Sequence, residues 1–128
     1  MEEKIIETSV ANCWRIDPGI NVLVFKNGAE AGLPDLEENF AAVKQLNNGE
    51  PSPLLLDITK LKYMDREGRA YSARKETVGD IQALAILIGS SVGRMLGSFF
   101  LGLNKPPYPT KLFTDKDEAI EWLRGFLV

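Results

Sequence analysis

The sequence predicts an α/β domain with a mostly parallel sheet and crossover helices. Three observations lead there. Short β-rich runs alternate with amphipathic stretches from Pro34 onward. Two of those runs, residues 54–58 and 81–88, are apolar but for Asp57 and Gln82 and do not alternate, as in strands covered on both faces. Turn and capping chemistry falls between them. An alternating order of this kind implies right-handed crossovers and one layered core.

Residues 4–16 read as two short alternating stretches around Asn12, and residues 20–25 as a third strand closed by the turn chemistry of Lys26-Asn27-Gly28. Residues 34–47 read as a helix. Pro34 suits a first turn, Leu36, Phe40 and Val43 share one face, and Asp35, Glu37 and Glu38 crowd the end where the helix dipole favours acids. Asn47-Asn48-Gly49 stops it. The run Leu54-Leu55-Leu56-Asp57-Ile58 follows as a strand. Residues 66–77 read as a helix with a poor apolar face of Ala70, Tyr71 and Ala73. Residues 81–88 form a central strand.

Ser90 or Ser91 then caps a helix in which Val92, Met95, Leu96, Phe99, Phe100 and Leu103 keep helical spacing. Asn104-Lys105-Pro106-Pro107 is a loop, and residues 108–113 are the last strand. Thr114, with Asp117 three residues on, opens a capping box, and Ala119, Ile120, Leu123 and Phe126 bury the final helix. No repeat, low-complexity tract or linker interrupts the pattern, so residues 1–128 are expected to be a single domain.

Composition removes several kinds of chemistry. There is no histidine, which excludes imidazole-based nucleophilic triads and histidine metal sites. The single cysteine, Cys13, excludes an internal disulfide, a cysteine zinc site and a Cys-x-x-Cys redox pair. Its setting in an alternating stretch marks it as a packing residue. A net charge of -3 gives no footing for nucleic-acid binding. The start Met1-Glu2-Glu3-Lys4 lacks the basic and apolar segments of a signal peptide, so a cytoplasmic location is the default expectation. Residues 81–103 carry one charge, Arg94, over a length that would span a bilayer. Gly89-Ser90-Ser91 breaks that run, and its two halves have different periods, so no transmembrane segment is expected.

The segment Leu56-Asp57-Ile58-Thr59-Lys60-Leu61-Lys62-Tyr63-Met64-Asp65-Arg66-Glu67-Gly68 resembles the signature of STAS domains, the SpoIIAA-like fold of anti-sigma-factor antagonists. In that pattern a strand ends in Asp-Leu-Ser, and Val-x-Phe-Ile-Asp leads to Ser-Ser-Gly at a helix start. Asp57, Thr59, Leu61, Tyr63, Met64, Asp65 and Gly68 fall in register with it. The stretches Phe99 to Pro107, Pro109 to Thr114 and Glu118 to Leu123 are similar to small stand-alone bacterial STAS-like proteins without assigned activity. The resemblance implies a SpoIIAA-like fold and a regulatory, non-enzymatic role in protein–protein interaction. One departure bears on regulation. Where STAS regulators carry the serine pair that accepts phosphate, this chain has Arg66-Glu67.

The resemblance implies a partner surface at Asp65, Arg66, Glu67, Arg69, Arg74 and Lys75. Four cations stand there against Glu67 and Glu76, in an otherwise acidic chain. This suits an acidic partner, while a solvated helix face with i, i+3 pairs is the plainer reading. A second surface comprises Ser90, Ser91, Arg94, Phe99, Phe100 and Trp122. It is expected to serve an apolar ligand such as an acyl chain, or a homodimer contact, beside plain capping and core packing. For catalysis, Asp57 and Asp65 are the only carboxylates placed near strand ends, and no second group accompanies them. The chain is therefore expected to have no enzymatic activity, no cofactor and no metal, and to bind a protein partner of unidentified type.

Overall fold

The computed structural model describes residues 4–16, 18–72, 81–89 and 108–127, apart from the side chains of Arg69 and Ser72. The elements in order are β1 (Ile5–Glu7), β2 (Ala11–Ile16), β3 (Ile20–Phe25), β4 (Ala29–Ala31), α1 (Leu33–Asn47), β5 (Ser52–Asp57), β6 (Leu61–Met64), α2 (Arg66–Ser72), β7 (Ile81–Leu87), β8 (Thr110–Phe113) and α3 (Lys116–Arg124). Six strands form one mixed sheet in the order β1-β2-β3-β5-β7-β8. The first three make an antiparallel meander. The pairs β3·β5, β5·β7 and β7·β8 are parallel, so the mostly parallel α/β sheet read from the sequence is the observed one.

The two continuous apolar runs are apolar because both their faces are covered. On β5, Leu54 packs toward α1 and Leu55 toward α3, each almost fully buried. β7 does the same, with Leu84 and Ile86 on one side and Ala83, Ala85 and Leu87 on the other. The small Ala83 and Ala85 side chains leave room for Leu123 and Ala119 of α3, which are both fully buried. Pro53 lies inside β5, where its missing N–H would break a ladder. A register shift between Ser52 and Pro53 against β7 accommodates it.

β7 also settles the long apolar run at 81–103. Its first seven residues are an interior sheet strand, so the run is not one membrane-spanning helix. Among the described residues no helix is long and apolar enough to cross a membrane.

Four details differ from the sequence reading. The break between the first two strands is at Thr8-Ser9-Val10, not Asn12, which lies within β2. Thr8 closes that turn, its hydroxyl oxygen accepting the Ala11 N–H at 3.0 Å. The cap of α3 is Asp115, which accepts the Glu118 N–H at 3.0 Å, rather than Thr114. Ala70 of α2 is exposed, and the packing of α2 on α1 runs through Gly68 and Tyr71 instead. Finally, β4 and β6 form a second, two-stranded parallel sheet that the sequence did not disclose.

That small sheet positions the start of α2. Ala31 lies opposite Met64, and the next residue, Asp65, donates its N–H to the Ala31 carbonyl at 3.0 Å. Gly32, which precedes α1, and Asp65, which precedes α2, are thereby brought side by side.

Candidate functional site

Within β6, Leu61 and Met64 are buried, while Lys62 and Tyr63 face solvent. Tyr63 keeps 53% of its surface exposed. Asp65 is half-buried. Its Oδ1 accepts the Gly68 N–H at 2.7 Å, so it serves as the cap of α2. Arg66 and Glu67, the first two residues of α2, are both exposed.

Gly68 is where α2 touches the core. A Cβ built there would lie 3.1 Å from Asp65 Oδ1 and 3.3 Å from both Leu36 Cδ2 and Met64 Cγ. The missing side chain lets α2 lie close to α1. The Tyr71 ring then meets Phe40 edge-on, with centroids 5.6 Å apart. Gly32 is fitted in the same way: a Cβ would stand 3.1 Å from Asp65 Oδ2. Arg66, Glu67 and Tyr63 therefore stand on a base fixed by a cap, a small sheet and a tight helix contact.

The structure brings Asp65, Arg66 and Glu67 together with the backbone of Arg69 on one short helix. Arg74 and Lys75 lie outside the described residues, as do Ser90, Ser91, Arg94, Phe99 and Phe100. Trp122 is described, but it is far from a shared surface with α2. It packs on the opposite face of the sheet, its ring centroid 5.6 Å from Phe113 and 4.9 Å from Phe126. Tyr63 was passed over in the sequence because its motif position reads as a strand core. The signal was its place beside Lys62 in a four-residue strand.

The two carboxylates near strand ends have local duties. Asp57 Oδ1 accepts the Thr59 N–H at 2.9 Å and the Thr59 hydroxyl at 2.6 Å, closing the turn after β5. Asp65 caps α2. Among the described residues no cluster of His, Cys, Asp or Glu could hold a metal ion. Cys13 is fully buried, and desolvation pushes its thiol up to about 11, which keeps it protonated and unreactive.

A family profile described as a domain of unknown function, DUF7793, matches residues 14–127. The chain belongs to that family. The fold of this DUF7793 chain is shared with solved structures. SpoIIAA, an anti-sigma factor antagonist in its unphosphorylated form, superposes with a TM-score of 0.58 at 16% identity, covering 97% of this chain and 99% of that one. An uncharacterized DUF3478 protein with a SpoIIAA-like fold, from Shewanella loihica PV-4, gives 0.57 at 17% identity over 95% and 92%. A protein of unknown function from Arthrobacter sp. FB24 is 30% identical over 92% and 95% of the two chains, with a TM-score of 0.36. No curated protein shows a significant match. The DUF7793 chain thus has the SpoIIAA-like fold that its 56–68 segment resembles.

Proposed function

We propose that this chain is a non-enzymatic regulatory module that docks a cytoplasmic protein partner through the surface where α2 begins. The observation that carries this reading is the exposure of Tyr63, Arg66 and Glu67 around the Asp65-capped start of α2. Tyrosine and arginine are both enriched at interaction hot spots. Arg69, Arg74 and Lys75 add positive charge to the same stretch of sequence, which favours an acidic partner.

The solved relative SpoIIAA is an anti-sigma factor antagonist, described in its unphosphorylated form. A partner-docking role carries over to this chain by analogy of fold, and control by phosphate at the helix start does not. Arg66 and Glu67 have no hydroxyl to accept it. Asp57 and Asp65 are committed to turn and cap hydrogen bonds, which supports a role without catalysis.

The test is affinity capture from native extract with the wild-type chain, a Tyr63→Ala variant and an Arg66→Glu, Arg69→Glu, Arg74→Glu variant, read by mass spectrometry. One partner retained by the wild type and lost by both folded variants supports the reading. Identical retention by all three removes the α2 surface from the function. Stoichiometric phosphate on Thr59 or Ser72 that alters partner binding would overturn the claim that this surface works without phosphorylation.

A further inference from the structure

Asn-Gly occurs twice in the chain, at Asn27-Gly28 and at Asn48-Gly49. An asparagine side-chain amide is a weak electrophile, and the backbone nitrogen of the next residue is the nucleophile closest to it along the chain. Glycine in that next place has no side chain to crowd the attack. All four residues are exposed. Both glycines have a positive φ, 75° at Gly28 and 93° at Gly49, and at neither would a Cβ meet an atom within 4 Å. Sequence, exposure and open space therefore do not separate the two pairs.

Hydrogen bonding does. The Gly28 N–H donates to the Lys60 carbonyl at 2.9 Å, and the Ala29 N–H to the Lys26 carbonyl at 3.0 Å. Ala29 also begins β4, where it lies opposite Leu61. The nitrogen that would attack Asn27 is thus committed, and freeing it means undoing the start of the small sheet. Asn48 has the opposite setting. It ends α1 in the left-handed region, with φ 51° and ψ 42°. The Gly49 N–H donates to no carbonyl among the described residues, and the turn is closed by a longer bond, from the Glu50 N–H to the Asn47 carbonyl at 3.2 Å.

We infer that Asn48 is a site of spontaneous deamidation in the folded chain, and that the fold protects Asn27. The Gly49 nitrogen attacks Asn48 Cγ. The new N–C bond closes a five-membered succinimide, the Cγ–Nδ2 bond breaks, and the Gly49 amide proton leaves with Nδ2 as ammonia. Water then opens the ring at either carbonyl, giving aspartate or isoaspartate. Nothing is oxidised or reduced, and water is the one co-reactant. Either product puts a new carboxylate at the C-terminal end of α1, where the helix dipole disfavours it. Isoaspartate also adds a methylene to the backbone next to Asn47, whose side chain is bonded to Asn21 of β3. Conversion of Asn48 therefore loosens the seat of α1 on the sheet. The site stands or falls independently of the docking surface at α2.

The experiment is incubation of the purified full chain at mildly alkaline pH, with a parallel sample in urea, both read by peptide mass spectrometry. In urea the two asparagines are expected to convert at similar rates. In the folded chain Asn27 is expected to convert at least about ten-fold more slowly than Asn48, the scale set by breaking the hydrogen bonds that hold its turn. The Asn48 product is expected to accept methyl label from an isoaspartyl methyltransferase, and the incubated chain to unfold at lower urea than the fresh one. Asn48→Gly keeps a residue suited to the left-handed cap and should lose both the label at this turn and the drop in stability. The inference is overturned if Asn48 stays intact in the folded chain, or if Asn27 converts there as fast as Asn48. An incubated chain as stable as the fresh one would overturn the loosening of α1. The first two comparisons need no variant.

Discussion

Asp65 holds Gly68 through a 2.7 Å hydrogen bond from the Gly68 N–H to its Oδ1, while its own N–H reaches back to Ala31 at 3.0 Å. One residue thus ties the start of α2 to the end of β4. Asp65→Ala removes the cap acceptor and should cost about 1 kcal/mol of stability. Asp65→Asn keeps an acceptor and should cost less. Gly68→Ala places a methyl 3.3 Å from Leu36 and Met64, and should cost about 1–3 kcal/mol through overpacking. Urea denaturation of the three variants checks the ranking. A Gly68→Ala variant as stable as wild type would show that α2 is not tightly seated on α1.

Legibility in the sequence followed the range of the interactions. β3, β5, β7 and α1 were visible because their cues are local: continuous apolar runs, and Leu36, Phe40 and Val43 at helical spacing. β4 and β6 were not. They have three and four residues, carry Glu30, Lys62 and Tyr63 on exposed positions, and exist only because they pair with each other across α1 and β5. The α3 cap moved by one residue because Thr114 and Asp115 are both able caps, and only backbone geometry chooses between them. At the candidate site, Arg66 and Glu67 were legible from the motif. Away from that site, the buried Asn39 of α1 was not legible, since a lone Asn in a helix reads as surface. Its burial follows from Thr8, thirty-one residues earlier.

Next to that Thr8–Asn39 contact, Glu38 Oε1 accepts the Ser9 N–H at 2.9 Å and the Ser9 hydroxyl at 2.8 Å. These bonds favour the carboxylate and lower its pKa from 4.5. Glu7 is lowered too, by its hydrogen bond and charge pairing with Lys26 at 2.7 Å. A folded-state pKa below the unfolded one means that the stabilisation is present above about pH 4.5 and is lost as pH falls through the folded value. Glu38→Gln should flatten part of the fall in melting temperature between neutral pH and about pH 3, with Glu7→Gln flattening a separate part. An unchanged acid limb in both variants would show that neither clasp matters to folding. Both side chains are solvent-facing, so high salt should shrink the Glu7 effect in particular.

Cys13 makes the opposite prediction at the alkaline end. Burial raises its pKa from 9.0 to about 11 in the folded chain. The neutral thiol is favoured on folding, so its contribution to stability holds below about pH 9 and fades as pH rises through about 11. At pH 8 a thiol reagent should label the native chain at least about a hundred-fold more slowly than the urea-unfolded chain, the rate being set by opening of the β2 region. Rapid native labelling would place Cys13 at an accessible surface and reopen it as a reactive group.

The end of the sheet farthest from α2 carries a polar network whose value is measurable. Asn21 is fully buried on β3. Its Nδ2 donates to Asn47 Oδ1 at 2.5 Å, and its Oδ1 accepts from Arg15 Nη1 at 3.0 Å. Arg15 Nη1 also donates to Ser52 Oγ at 3.1 Å and to the Leu46 carbonyl at 3.2 Å, which puts a cation at the C-terminal end of α1 where the dipole favours it. The network joins β2, β3, α1 and β5. Asn21→Ala leaves Asn47 without this partner, and Asn47→Ala leaves the Asn21 amide without its acceptor. Each should cost about 1–3 kcal/mol. Because the two substitutions break one shared bond, the double variant should be more stable than additivity allows by about 1 kcal/mol. A double-mutant cycle by urea denaturation reads that coupling directly. Strict additivity would mean that each asparagine is held by its other neighbours, and that the Asn21–Asn47 bond is not what seats the end of α1 on the sheet.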